Sequence, residues 1–377
     1  MIRSTARIVK LALAALAFLI VPSTALAQVT AAAGYVPPDD TQAVKVAAVI
    51  FYDYTYTKTP KTTDSAGNTF SPSAINVART YINVTGNISH RVAFRITPDI
   101  SRETGTGPSL TGSLMFRLKY GYAQYNLDDW TGSWKQTYIR GGIQQTPFID
   151  AQEGVYRYRF QGTVFVERDG GLASADAGVT FHTNMPNNYG DVHFGFYNGE
   201  GYSKPEINNI KSFQGRITVR PLPAGSFLVK GLRLTGYVNR DSVVKNADRN
   251  RVIGSVFYEH PRVNAGFDYI SREDQTAATA AQVKSNGWST FVTPFFKEKG
   301  NGLEALFRYD SFRATTALTT RQNRTIAGLS YWFGHPGGAS TAAILLDFEQ
   351  VAFAKFNGTG TAPAKQQRIA LHGLINF

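Results

Sequence analysis

The final twelve residues, Gln366 to Phe377, set Ile369, Leu371, Gly373, Ile375 and Phe377 on one side of an extended chain. Arg368, Ala370, His372 and Asn376 fall on the other side, with Leu374 the exception. Successive side chains of a strand point to opposite faces, so this segment has one apolar face, one mostly polar face and a terminal aromatic. Such a strand suits the closing edge of an outer-membrane barrel, with lipid outside and water inside. The same alternation recurs along the chain. It selects folds that keep every backbone group paired within a bilayer.

The N-terminus reads as an export signal. Arg3, Arg7 and Lys10 precede an apolar run from Leu11 to Val21, and Ala25-Leu26-Ala27 forms a small-residue cleavage site before Gln28. The run is too short to anchor a helix comfortably, and no later segment stays apolar over the ~18 residues that a spanning helix needs. The expected organisation is a signal peptide over 1–27, a periplasmic lead-in over 28–43 and an outer-membrane barrel over 44–377. Cysteine is absent. That removes thiolate chemistry and leaves closure of the fold, rather than disulfides, to stabilise an exported chain. The formal charge is +12, and loss of the three basic residues of the leader leaves +9. In an exported barrel this excess points to small anions or anionic lipid. Nucleic acid is not expected as a partner, because no basic helix or aromatic-basic motif supports it.

From Val44 the chain reads as strands separated by Gly, Pro, Asn and Asp clusters. They fall near 44–57, 76–86, 90–101, 114–127, 136–145, 173–183, 191–198 and 211–220. Eight more fall near 230–240, 250–259, 262–271, 287–297, 303–313, 323–333, 340–351 and 367–377. Short breaks at Asn87-Ile88-Ser89, His260-Pro261 and Glu298-Lys299-Gly300-Asn301 interleave with longer ones at 58–75, 102–113, 146–172, 272–286 and 352–366. This is the rhythm of short periplasmic turns and longer outer loops, and about sixteen strands enclose a water-filled lumen. Length alone leaves 221–229 and 241–249 unassigned to either end. A β-sandwich or solenoid fits less well, because no fixed-period repeat is present.

Side-chain direction follows from cost. An Arg or Lys facing lipid at mid-membrane costs ~2–4 kcal/mol, so the charged positions of each strand must face the lumen. In 90–101, Val92, Phe94 and Ile96 alternate with Arg91, Ala93, Arg95 and Thr97; in 114–127, Leu114, Phe116, Leu118, Tyr120 and Tyr122 alternate with Arg117 and Lys119. Phe213, Ile217 and Val219 oppose Gln214, Arg216, Thr218 and Arg220, while Leu303, Ala305, Phe307 and Tyr309 oppose Glu304, Arg308 and Asp310. The lumen is thereby expected to receive Arg79, Arg95, Arg117, Lys119, Arg140, Arg216, Arg220, Arg233, Arg262, Arg308 and Arg368. Asp53, Asp268, Glu304, Asp310, Asp347 and Glu349 oppose them. Arginine stays charged and grips oxyanions bidentately, so an arginine-rich lumen favours anions. Paired charges that merely keep the wall wet are the competing account.

The connection 146–172 is the strongest site candidate. It follows the fifth strand, starts at Pro147 and carries Arg157, Arg159 and Arg168 against Asp150, Glu153 and Glu167. A lumen this wide leaves room for an inward-folded constriction. In that reading Arg157 and Arg159 line the narrowest point while Tyr156, Tyr158 and Phe160 pack it to the wall; an exposed outer hairpin is the alternative.

Several segments carry a family resemblance. Ala78-Arg79-Thr80-Tyr81-Ile82-Asn83-Val84-Thr85-Gly86-Asn87, followed by His90-Arg91-Val92-Ala93-Phe94-Arg95, resembles the early hairpin of the phosphate-selective porin O/P family. Ile139 to Phe148, Gly195 to Gly201 and Gly215 to Leu222 are similar to later landmarks in the same order. The resemblance implies a sixteen-stranded trimeric barrel with a constriction loop and an arginine-lined route for oxyanions. Its site carries over here through Arg157, Arg159 and Arg168. Lysine is sparse in the early strands, and no lysine cluster of the phosphate-selective kind is matched, which points to a general anion preference.

No catalytic or metal site is expected, and no cofactor. The histidines His90, His182, His193, His260, His335 and His372 form no H-E-x-x-H motif, and no G-x-S-x-G elbow or P-loop is present. His182 and His193 are positioned to face each other across a hairpin, without further ligands. Asp39-Asp40 and Asp128-Asp129 read as solvated turns. The expectation is an outer-membrane porin passing small anionic solutes, phosphate among them. A structural or adhesive barrel with a closed lumen, and a barrel lipase, stand as alternatives.

Overall fold

The computed structural model describes residues 39–103, 112–334 and 341–377. The expected signal peptide, most of the lead-in and His335 lie outside the described residues. Sixteen long strands form one closed barrel in which every neighbour is antiparallel. In chain order they are β1 Ala43–Thr59, β2 Ser73–Ser89, β3 Val92–Arg102, β4 Leu114–Asn126, β5 Lys135–Gln145, β6 Ala175–Asn184, β7 Gly190–Tyr197 and β8 Ser212–Val219. The second half comprises β9 Leu232–Arg240, β10 Ala247–His260, β11 Val263–Asp274, β12 Val283–Pro294, β13 Gly302–Arg313, β14 Arg321–Gly334, β15 Thr341–Ala354 and β16 Gln366–Asn376. Each expected strand corresponds to one of these. Closure joins β16 to β1, with Asp53 opposite His372 and the Phe377 amide donating to the Ala48 carbonyl at 3.1 Å. Closure leaves no sheet edge, the condition for a strand structure in lipid.

The alternation is realised on the terminal strand. Ile369 and Leu371 are 44% and 47% exposed on the outside, whereas Ala370 and His372 are buried within. On β13, Leu303 and Phe307 face out while Glu304, Arg308 and Asp310 are buried inside. On β8, Ile217 and Val219 are outward against buried Gln214, Arg216 and Thr218.

β4 departs from the expected phase. Thr97 pairs with Tyr120 but Pro98 pairs with Leu118, so Lys119 is the extra residue of a bulge. Pro98 has no N–H to give to the ladder, and bulges are where a strand tolerates proline. Lys119 and Tyr120 are therefore both buried inside, and every later residue of β4 changes face. Tyr122 also turns inward, where the Arg140 guanidinium lies 4.2 Å from its ring centroid. The expectation that Tyr120 and Tyr122 face lipid is corrected by this one-residue slip.

The first short turn is also displaced, since β2 runs on through Asn87-Ile88-Ser89 and reverses at His90-Arg91. Strand direction settles the two unassigned connections. Counting from β1, residues 220–231 join β8 to β9 at the end carrying the short turns and the chain terminus, hereafter the inner end. Residues 241–246 join β9 to β10 at the outer end, where Ser242–Val244 adds a short hairpin on β10.

Candidate functional site

Residues 146–174 leave the outer end of β5 and pack against inward-facing side chains of the wall. The segment contains two helices, α1 Pro147–Tyr156 and α2 Phe165–Arg168. Pro147 sits at the first turn of α1, where a missing N–H costs nothing, and Arg157 ends the helix in the left-handed region at φ 64°. The Arg157 amide still bonds the Glu153 carbonyl at 3.0 Å.

Wall side chains hold this backbone along its length. Arg216 Nε donates to the Pro147 carbonyl at 2.8 Å and Asn264 Nδ2 to the Val155 carbonyl at 2.8 Å. Tyr158 Oη donates to Glu304 at 2.9 Å, near the inner end of β13, and lies 2.8 Å from Ser330 Oγ. The chain then climbs back. Gln161 Nε2 donates to Asp347 at 2.8 Å and Glu349 at 3.1 Å, and Arg308 Nη1 to the Thr163 carbonyl at 2.9 Å. Arg251 and Arg272 bond the carbonyls of Gly170 and Asp169 at 2.9 and 2.6 Å near the outer end. Rings fill the gaps: Tyr156 meets Phe291 at 5.1 Å, Tyr158 meets Trp332 at 5.7 Å and Phe160 meets Phe51 at 6.4 Å between centroids. A backbone whose polar groups are satisfied by charged donors in a buried setting is strongly fixed, each such bond contributing ~1.5–3 kcal/mol.

Between this segment and β1, β2 and β14–β16 lies a cavity of about 370 Å³. Five guanidiniums line it, those of Arg79, Arg159, Arg168, Arg324 and Arg368, together with the carboxylates of Asp53 and Glu349 and the ring of His372. Glu349 bonds both Arg324 and Arg368, the latter through Nε at 3.1 Å. Arg159 pairs with Glu153 at 2.8 Å and Glu167 at 3.6 Å, acids that do not line the space. Arg168 bonds the Thr163 carbonyl at 2.8 Å. Among the described residues no carboxylate lies within ion-pair distance of it. Burial, reinforced by repulsion from Arg308 and Arg324, pushes its guanidinium down to about 10.

The other expected residues separate by environment. Arg157 turns to the wall: its Nη1 meets Glu304 at 3.2 Å and its guanidinium lies 4.3 Å from the Trp332 ring centroid, away from the cavity. Arg95 donates to Asn83 at 2.7 Å and covers Tyr120; Arg140 is fully buried against Gln124 and Gln145. Arg216 pairs with Asp191 and Arg308 with Asp310, at 3.1 Å and 2.7 Å. Arg220 lies past the end of β8 and donates to the Lys230 carbonyl at the inner rim. Arg117 and Lys119 lie on the inner face of β4, Arg117 Nε 3.1 Å from Asp99. His182 and His193 do face each other, their rings 5.5 Å apart.

Arg324 was not singled out in the sequence. Leu329, Tyr331 and Phe333 set the outward phase of β14 and so place Arg324 inward. The inward Ile326 and Trp332 obscure that signal, because they pack against the folded-in segment rather than water.

No family model and no curated protein matches the chain. Solved structures do. An anion-selective porin from Comamonas acidovorans aligns with TM-score 0.61 and 11% identity, over 89% of this chain and all of that one. The fold is that of an outer-membrane porin. The channel DcaP of Acinetobacter baumannii aligns with TM-score 0.57 and 11% identity, over 92% of this chain and 100% of its own. OmpT, an outer membrane protein of Vibrio cholerae in its trimer form, aligns at 0.55 and 12% over 90% and 100%. At these identities the porin likeness speaks for architecture, and the solute is argued from the lumen.

Proposed function

We propose that this chain is an outer-membrane channel for passive diffusion of small anions, with the segment 146–172 as its constriction and the arginine-rimmed cavity as its narrowest charged passage. The observation carrying this reading is the cavity rim itself: five guanidiniums against two carboxylates around about 370 Å³, with no acid paired to Arg168 among the described residues. An anion entering there supplies Arg168 with a countercharge that the described residues do not, in a poorly hydrated setting. The fold neighbour from Comamonas acidovorans is itself an anion-selective porin. Phosphate and other oxyanions fit the bidentate geometry of guanidinium, and sparse lysine on the early strands favours a general anion preference over phosphate specificity. Export by the N-terminal signal, residence in the bacterial outer membrane and assembly as a homotrimer belong to the same reading.

Conduction needs binding strong enough to draw ions in and weak enough to release them. The test is purified mature protein in a planar bilayer, with reversal potential measured across a KCl gradient and phosphate then added. An anion-selective current is expected, reduced by Arg159→Ala with Arg168→Ala and unmoved in sign by Arg157→Ala. Phosphate block at low concentration would mark an oxyanion channel; indifference would mark a general porin. Cation preference, or silence from folded protein, refutes the proposal.

A further inference from the structure

A second group of lumen cations depends on a residue that no strand supplies. Tyr202 belongs to the outer connection 198–211 between β7 and β8, yet its hydroxyl reaches the inner faces of β2, β3 and β4. It donates to Asp99 Oδ2 at 3.2 Å and accepts from Arg79 Nη1 at 3.3 Å and Arg117 Nη2 at 2.9 Å. Its ring lies 4.9 Å from the Arg117 guanidinium and 5.9 Å from Lys119 Nζ. Asp99 is fully buried and bonds both arginines through the same Oδ2 oxygen. Lys119 makes no ion pair among the described residues and rests instead against the rings of Tyr81 at 4.8 Å and Tyr120 at 5.4 Å. The bulge at Lys119 is what turns both it and Tyr120 to this side.

We infer that Tyr202 is a positioning residue for anion selectivity, engaging one further donor of each of the Arg79 and Arg117 guanidiniums, which already pair with Asp99 Oδ2, so that those donors stay turned toward the route to the cavity. Two arginines share one acid with Lys119 nearby on the Tyr202 ring, and Arg79 also lines the cavity, so the group connects the outer connection to the constriction. A hydroxyl that accepts from two guanidiniums competes with the acid for their donors. Without it those donors are released beside Asp99 Oδ1, an oxygen of the same carboxylate that accepts no hydrogen bond among the described residues. Pairing on both carboxylate oxygens would mask the guanidinium charge further and leave a more neutral wall. The inference rests on the anion-channel reading, and its test separates the two.

The experiment compares chloride-to-potassium permeability ratios of the whole protein and of Tyr202→Ala, Tyr202→Phe and Glu206→Gln. Glu206 pairs with Lys211 at 2.6 Å within the same connection and touches none of the lumen cations, so its variant loosens the loop alone. Tyr202→Ala is expected to lower the ratio about twofold, equivalent to ~0.4 kcal/mol of lost attraction for a passing anion. Tyr202→Phe keeps the ring and falls between, while Glu206→Gln matches the parent. An unchanged ratio in folded Tyr202→Ala, or an equal fall in Glu206→Gln, overturns the inference and leaves the channel reading standing. A parent protein without anion preference overturns the channel reading first.

Discussion

Glu304 offers a direct test of whether the folded-in segment is fixed by its wall contacts. Its carboxylate is fully buried near the inner end of β13. It accepts from Tyr158 Oη at 2.9 Å, from Arg157 Nη1 at 3.2 and 3.3 Å, and from the Gly300 amide at 2.6 Å. Glu304→Ala removes all of these acceptors and leaves Arg157, 11% exposed in its side chain, without a countercharge. Breaking a buried pair by deleting one partner costs about 3–5 kcal/mol. If that loss falls on the segment and not on the barrel, whose ladder does not involve the side chain, the released population rises by roughly two to three and a half powers of ten. Tyr158→Phe deletes one charge-assisted bond and should cost about 1.5–3 kcal/mol. Trypsin reads this out, because release exposes the bonds after Arg157, Arg159 and Arg168. The parent should resist cleavage between Tyr156 and Asp169, Tyr158→Phe should be cut slowly, and Glu304→Ala quickly, with a larger and noisier single-channel conductance. Equal resistance in all three, with unchanged conductance, would mean that the segment is held by its aromatic packing alone.

Two further expectations follow from the wall and the inner rim. Leu371 is 47% exposed on the outer face of the closing strand, so Leu371→Arg places a charge in lipid and should cost ~2–4 kcal/mol in a urea titration of folding into vesicles; a shift within error of zero would place that face away from the hydrocarbon. At the inner rim, His90 Nδ1 lies 2.6 Å from Asp40 of the lead-in and its Nε2 lies 3.0 Å from Asp129, and these hydrogen bonds raise its pKa. A raised folded value stabilises the clasp fully below the unfolded pKa, and that contribution is lost as pH rises through the folded one. Amide exchange at Thr41 should therefore accelerate beyond its intrinsic rate as pH rises above the ordinary histidine value of about 6.5 and through the raised folded one, and His90→Gln should abolish the excess; identical excess in both proteins would remove the histidine from the clasp.

The barrel was legible because lipid enforces it residue by residue. Ile217, Val219, Leu303, Phe307, Ile369 and Leu371 could stand on one face only, and that period reveals a strand whatever its partners are. It fails where the ladder itself slips, as at Lys119, since a bulge set by Pro98 on the neighbouring strand has no trace in the local alternation. It also fails where the inside is dry. Trp332 faces inward against Tyr158 and Phe160, Ile326 joins the same buried cluster, and Arg324 is hidden from the pattern by that exception. The segment after β5 announced itself by length, charge and Pro147, but its two helices and its descent to Glu304 depend on contacts more than a hundred residues away. Tyr202 gave no signal at all, because a loop residue has no period.

The distribution of charge across the wall gives those distant contacts a common sense. Asp268, Glu304, Asp347 and Glu349 all face the lumen, and each accepts a bond from the folded-in segment, through Gln152, Tyr158 and Gln161. These acids are thereby engaged as anchors on β11, β13 and β15. On the facing strands β2 to β5 the inward charges are Arg79, Arg95, Arg117, Lys119 and Arg140, opposed chiefly by the fully buried Asp99. The same contacts that hold the folded-in segment therefore engage the acids of one half of the wall, while on the other half Arg79 and Arg117 stay part-exposed. On the proposed channel reading, selectivity and constriction would be one feature: a variant that frees the segment by removing Glu304 should weaken anion preference as well as widen the passage. A widened passage with undiminished preference would assign selectivity to the β2–β5 wall alone.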